Sequence, residues 1–407
     1  MFGANIAYLF LFPFFYFVYL GSAAGIWNTS SYFGSVAIAT VAIYVLIFPI
    51  PVMRRMSAAS GKSALFITLL LWCALWTLWH WYETDKYPAE AYTQIIQMIL
   101  FWVALFFVGL FVDPSRKQTF RIAGISIAAM IAVSAYFVDA ETRMVNLRSV
   151  FDTESIPSYQ GFANAALLTG LLLLSNLRGR RWRLFWMVVC AALLFVNGAR
   201  SEFVGFLAAT GIVEGISILR KPKAIFSTSV ALIPLYFIIS DRWSDIENSR
   251  QMQLLDFANS TSWIARQDFM QLALDQIAAH PISGVFAGHF EWEWPVSAGA
   301  YAHNALSAWV SFGIIGFSLY VLLTLICVKS SLSLLEHAEV SPTFRLSAYV
   351  NILSFILIIA SKNVFWPVIA LGWGLTINST AKLKEINRHN AARVIPGSVE
   401  SCPDCAD

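Results

Sequence analysis

Apolar runs long enough to cross a lipid bilayer, roughly 20 residues each, follow one another along this chain with short polar connections between them. They carry no polar face, and Trp and Tyr cluster at their ends, as expected where a helix meets a membrane interface. The pattern predicts twelve spans: 5–20, 33–52, 63–81, 94–112, 121–138, 160–175, 183–197, 202–219, 224–240, 303–328, 345–361 and 363–380. One segment has a different period. Over 262–279, Trp263, Met270, Ala273, Leu274 and Ile277 recur at helical spacing opposite Asp268, Gln271 and Asp275, which predicts an amphipathic helix ended by His280-Pro281. Gly284, Gly288 and Pro295 then mark a turn-rich return to the membrane.

Composition agrees with an all-α polytopic membrane protein. The hydrophobic set makes up 58% of the 407 residues and charged residues 13%, about half the share of an ordinary soluble domain, which excludes a soluble enzyme. The position of the charges orients the spans. With a cytoplasmic N-terminus, the inner segments hold Arg54, Arg55, Lys62, Arg116, Lys117, Arg121, four arginines between 178 and 183, Arg220, Lys221, Lys223, Lys329, Arg345 and four cations from Lys382 to Arg393. The outer segments hold Lys86, Arg143, Arg148, Arg200, Arg242, Arg250, Arg266 and Lys362. Nineteen against eight of the 27 Lys and Arg is the expected inward bias and supports both termini on the cytoplasmic side. The organisation expected is nine spans over 1–240, a long outward loop over 241–302, three spans over 303–380 and a polar, disordered tail over 381–407. The first run has small residues after it, Gly21-Ser22-Ala23-Ala24, but no preceding positive charge, and reads as an uncleaved helix.

Few residues in such a chain can carry chemistry. Arg200, in Asn197-Gly198-Ala199-Arg200-Ser201-Glu202, falls in a turn short enough to hold it at the membrane surface. It is either an ion-pair partner of Glu202 or a snorkelling side chain, or else a planar guanidinium suited to bidentate phosphate contact. Arg266 interrupts the apolar stripe of the amphipathic helix and so points toward the membrane domain, as a ligand for an anion or as a stem covering apolar surface. His303, in Tyr301-Ala302-His303-Asn304, stands where the long loop re-enters the membrane, either as a hydrogen-bonded structural residue or as a general base. Trp292 and Trp294 alternate with Glu291 and Glu293, and indole faces suit sugar rings. Trp72, Trp76, Trp79 and Trp81 read as interface belt. Other signals are absent. The sequence has no Gly-rich phosphate loop and no metal-ligand spacing beyond Cys402-Pro403-Asp404-Cys405, so neither a cofactor nor a metal is expected, and nothing points to nucleic acid. Glu214 is the clearest acid inside a span, too little for a proton or sodium relay.

The Arg200 turn, the passage from Arg266-Gln267-Asp268-Phe269 to His280-Pro281-Ile282-Ser283-Gly284, and His303-Asn304-Ala305-Leu306 followed by Gly313-Ile314-Ile315-Gly316 occur in an order that resembles the O-antigen ligase and polymerase superfamily. The resemblance covers about residues 195–330, and its loop glycines, Gly284 and Gly288, are spaced more widely than the family's. It implies a metal-independent, inverting glycosyltransferase of the bacterial inner membrane with its site facing the periplasm. Such an enzyme moves a glycan from an undecaprenyl-diphosphate carrier to an acceptor hydroxyl. It further implies that His303 is the base, that Arg200 and Arg266 hold the diphosphate, and that Trp292, Trp294, His289 and Asn304 contact sugar. The partners implied are the lipid-linked oligosaccharide or polysaccharide, an acceptor glycan or lipid A core, membrane lipids, and chain-length regulator and flippase proteins. Polymerase, for O-antigen or exopolysaccharide, is preferred over ligase. A lipid-linked glycan flippase would share the spans and outward arginines, although the broken helices and related halves of a transporter are not evident.

Overall fold

The structure is a computed structural model and describes residues 2–26, 31–82, 89–138, 145, 159–219, 261–288 and 302–394. The regular elements among these are helices. Their order is α1 (Phe2–Leu9), α2 (Phe15–Ala23), α3 (Tyr32–Ala42), α4 (Pro49–Ala58), α5 (Ser60–Tyr82), α6 (Ala89–Phe111), α7 (Lys117–Tyr136), α8 (Tyr159–Asn176), α9 (Arg180–Val196), α10 (Arg200–Leu219), α11 (Thr261–Ala279), α12 (Leu306–Leu334), α13 (Pro342–Ala360) and α14 (Val368–Val394). A wide π turn, Phe10–Phe14, joins α1 to α2 around Pro13, whose ring nitrogen has no hydrogen to donate.

Seven described helices are long and apolar enough to cross a membrane, eight if the bent pair Tyr32–Ile47 and Pro49–Ala58 is one span. That pair turns by 90° at Phe48, just before Pro49, where the expected run 33–52 would have continued straight. The expected span 224–240 lies outside the described residues. α14 continues through the expected boundary at 380 to Val394. Just beyond that boundary Lys382 donates to Thr343 Oγ1 at 3.3 Å and Lys384 to the Ala58 carbonyl at 2.6 Å, while residues 387–391 of the helix are exposed.

The centre of the bundle is α6 against α14, with α13 packed on α14 and on α10. Trp102, Phe106, Phe66 and Trp373 are buried there with their rings in contact. Burial inside a lipid-facing protein leaves backbone and side-chain polar groups no water, so each needs an internal partner. Asn351 meets this need by donating to the Gly372 carbonyl at 3.0 Å and to the Ser331 and Thr376 hydroxyls, a polar layer shared by α12, α13 and α14.

The connections sort to two ends. At one, Arg183 and Glu214 form a bidentate pair at 2.9 and 3.1 Å, Tyr349 donates to the same carboxylate at 2.7 Å, and Arg345 donates to the Ser175 carbonyl. Glu214, the isolated acid of the sequence, is thus the counter-charge that ties α9, α10 and α13 together. At the opposite end meet the turns before α10, after α11, before α12 and after α13, and they frame the site.

Candidate functional site

The site rests on a break in α12. Gly313 adopts φ 66° and ψ −176° inside this helix, which interrupts the hydrogen-bond ladder. Gly284, also at φ 66°, lies against it. A Cβ at Gly284 would collide with the Trp309 and Val310 carbonyls, and one at Gly313 would collide with the Ile282 carbonyl, so both positions need glycine for conformation and for clearance. The contact is stitched by Val285 N donating to Val310 O at 2.8 Å and Ile314 N to Ile282 O at 3.0 Å, and by the Trp309 indole donating to Pro281 O at 2.8 Å. Carbonyls released by the break at Ser311 and Phe312 accept from Trp76 and Trp72, at 3.1 and 2.9 Å. These two indoles, expected in the interface belt, are internal caps, whereas Trp79 and Trp81 are exposed. The passage His280 to Gly288 and the α12 break are therefore one unit, and it fixes the return path of the loop.

On that unit sits His303. The turn 302–306 is closed by Asn304, whose side-chain oxygen accepts from Leu306 N at 2.9 Å and whose carbonyl accepts from the Ser307 hydroxyl at 2.7 Å. The same hydroxyl accepts from Val364 N at 2.8 Å, which binds the α13–α14 connection to the histidine turn. Next along that connection, Lys362 donates to Glu202 at 2.5 Å, with both side chains buried. Ser201 donates to the other carboxylate oxygen at 2.8 Å. Glu202 is in the first turn of α10, which opens at Arg200 after Gly198 reverses the chain at φ 76°. The described partners of Glu202 are therefore Lys362 and Ser201. Arg200 is half-buried at the positive end of the α10 dipole, a location that favours anions.

From the other side, α11 packs on α12. Ala273 and Ile277 are buried against Ala302 and Val310. Arg266 lies two turns earlier on that face and is half-buried, and the Phe269 ring lies 6.2 Å from the His303 ring. Burial, reinforced by the Arg266 and Lys362 cations, lowers His303 from 6.5 to about 4. The imidazole is neutral near pH 7 and able to accept a proton. The structure thus brings His303, Arg266, Lys362 and the start of α10 with Arg200 to one end of the bundle. His289, Trp292 and Trp294 lie outside the described residues. No group of three His, Cys, Asp or Glu among the described residues could hold a metal ion.

Two members of this constellation, Glu202 and Lys362, were not among the predicted site residues; Glu202 reads as a partner for Arg200, and its pairing with Lys362 was not foreseen. Lys362 counted only as an outward charge, and a lysine confined between two abutting apolar spans was the signal available.

The sequence model of a family described as O-antigen ligase matches residues 185–321. The match encloses Arg200, Arg266, His303 and the α12 break, and supports the O-antigen ligase and polymerase superfamily. No curated protein matches the chain.

Proposed function

With residues 185–321 similar to the O-antigen ligase family, we propose that this protein is a glycosyltransferase of the bacterial inner membrane. It takes a glycan from an undecaprenyl-diphosphate carrier and passes it to an acceptor hydroxyl on the periplasmic side. The observation that carries this reading is the convergence of a neutral His303 with Arg266 and the Arg200 end of α10 at one end of the helical bundle. Arg200 and Arg266 bind the carrier diphosphate and stabilise the charge that develops on it. The acceptor oxygen attacks the anomeric carbon as its proton passes to His303, the bond from that carbon to the diphosphate oxygen breaks, and undecaprenyl diphosphate leaves with inversion. No metal or cofactor takes part in this scheme. Holding donor and acceptor side by side supplies much of the remaining acceleration. Trp292, Trp294, His289 and Asn304 contact the sugars, and chain-length regulator and flippase proteins are the expected partners in the membrane.

Polymerisation of repeat units is the preferred form of the reaction, because the loop spacing from Gly284 to Gly288 departs from the ligase pattern. The test is the surface polysaccharide of a strain lacking the gene, compared with strains carrying wild type, H303A or R200A. Loss of long chains with a single repeat unit left on the core supports an O-antigen polymerase. A bare core with carrier-linked polymer accumulating assigns the ligase reaction instead. Loss of secreted polymer with unchanged lipopolysaccharide assigns exopolysaccharide synthesis. Full activity in both variants rejects the transfer chemistry and favours a flippase.

A further inference from the structure

Three turns meet at the site, and the sequence separates them widely: Arg200 to Glu202, Ala302 to Leu306 and Ser361 to Val364. Two links hold them together. The Ser307 hydroxyl binds the second to the third through Val364 N at 2.8 Å. The Lys362 ammonium binds the third to the first through Glu202 at 2.5 Å, where the carboxylate is fully buried and Lys362 is 7% exposed. A buried ion pair is a costly way to join helices, because desolvating both charges offsets most of their attraction, and what it does supply is a fixed geometry and a fixed charge. The Lys362 side chain is also one of the two cations whose field reaches His303, the other being Arg266.

Resting on the transferase reading above, we propose that Lys362 and Glu202 are a positioning pair of the transfer site. Glu202 anchors Lys362 beside His303 and fixes the Arg200 turn relative to the histidine turn. The pair acts in two ways. Mechanically, it sets the separation between the end of α10 that receives the diphosphate and the imidazole that receives the acceptor proton. Electrostatically, a held ammonium adds positive potential on the side where the leaving group becomes anionic. Among the described residues, the charged groups acting on His303 from the packed elements are Arg266 on α11 and Lys362 on the α13–α14 connection, with Glu202 behind Lys362 on α10. Lys362 lies beyond the family match at residue 321, so the family resemblance does not assign it.

The test uses the full-length protein in detergent with wild type, K362R, K362M, the double variant E202Q/K362M and H303A. The double variant removes both charges and so avoids a buried unpaired carboxylate, which protects folding. Protonation of His303 is followed by diethyl pyrocarbonate modification against pH, read by peptide mass spectrometry, and activity by the surface polysaccharide of complemented strains. The expected result is a His303 midpoint raised by roughly half a pH unit in K362M and in the double variant, with polymer reduced about tenfold or more. K362R is expected to keep both near wild type. An unmoved midpoint in a folded double variant, with polymer falling only in step with protein abundance, reduces the pair to a structural tie and overturns the proposal. H303A with full polymer overturns the underlying transferase reading and the proposal with it. H303A inactive with the midpoint unmoved overturns the pair alone.

Discussion

His303 shows how burial sets chemistry at a single residue. Its depressed pKa keeps it neutral through the pH range in which a free imidazole would gain a proton, so transfer is expected to hold from pH 7 down to near 5 and to fall as pH approaches 4. A pH profile that breaks near 6.5 contradicts this. The same shift affects folding. Because the unfolded histidine binds its proton at a higher pH, protonation favours unfolding, and stability declines as pH drops from 6.5 toward 4. Replacing His303 with Ala removes the proposed base, and a general base contributes typically about 10²–10⁴ in rate. H303A should lose transfer by that order and retain its melting temperature, as a polysaccharide gel and a thermal scan would show. Glu214 behaves differently. Its two oxygens are occupied by Arg183 and one also by Tyr349. E214L should lower stability by about 3–5 kcal/mol by stranding a buried arginine, read as a drop in melting temperature, and should not change the pH dependence of transfer.

The loop return and α12 act as one element. Gly284 and Gly313 press backbone against backbone, and both hold φ 66°. G313L requires the 282–285 passage to withdraw from α12, breaking the Val285 to Val310 and Ile314 to Ile282 bonds. Loss of transfer should accompany a melting temperature lowered by several degrees, as expected for strain of a few kcal/mol at a positive-φ site. W309F removes just the donor to Pro281 O and should be milder, near 1 kcal/mol. Equal effects in the two variants would show that the close glycine contact is not what holds the loop return. For α11, helical spacing already aligned Arg266 with Ala273 and Ile277, and the structure buries the latter two against α12. Met270 and Leu274, on the flank of the same stripe, remain exposed at 42% and 39%. Periodicity therefore located the apolar stripe, but the width of the buried face depended on the shape of its neighbour.

Across the whole molecule, the charge count and the structure divide the connections the same way. Arg183, Arg345, Lys382 and Glu339 gather at one end, and Arg200, His303 and Lys362 at the other. Replacing Cys402 and Cys405 with Ser, then introducing E339C or Q267C one at a time, tests the sidedness. A membrane-impermeant maleimide applied from outside should label Q267C and spare E339C, and the reverse pattern would invert the topology. Span-length apolar runs and the period of α11 are local properties, readable because bilayer thickness and helix geometry impose them on nearby residues. For the same reason Arg200, Arg266 and His303 stood out, each a polar group at an apolar boundary. The bend at Phe48 goes with Pro49, a local signal, whereas the polar composition after residue 380 gave no sign that α14 continues to Val394. The conversion of Trp72 and Trp76 from interface residues to caps of a helix break, and the pairing of Glu202 with a lysine from the far end of the chain, depended on contacts between distant segments. Hydrophobic pattern specifies which segments enter the membrane. The partners of their buried polar atoms are set when the helices close and water is gone.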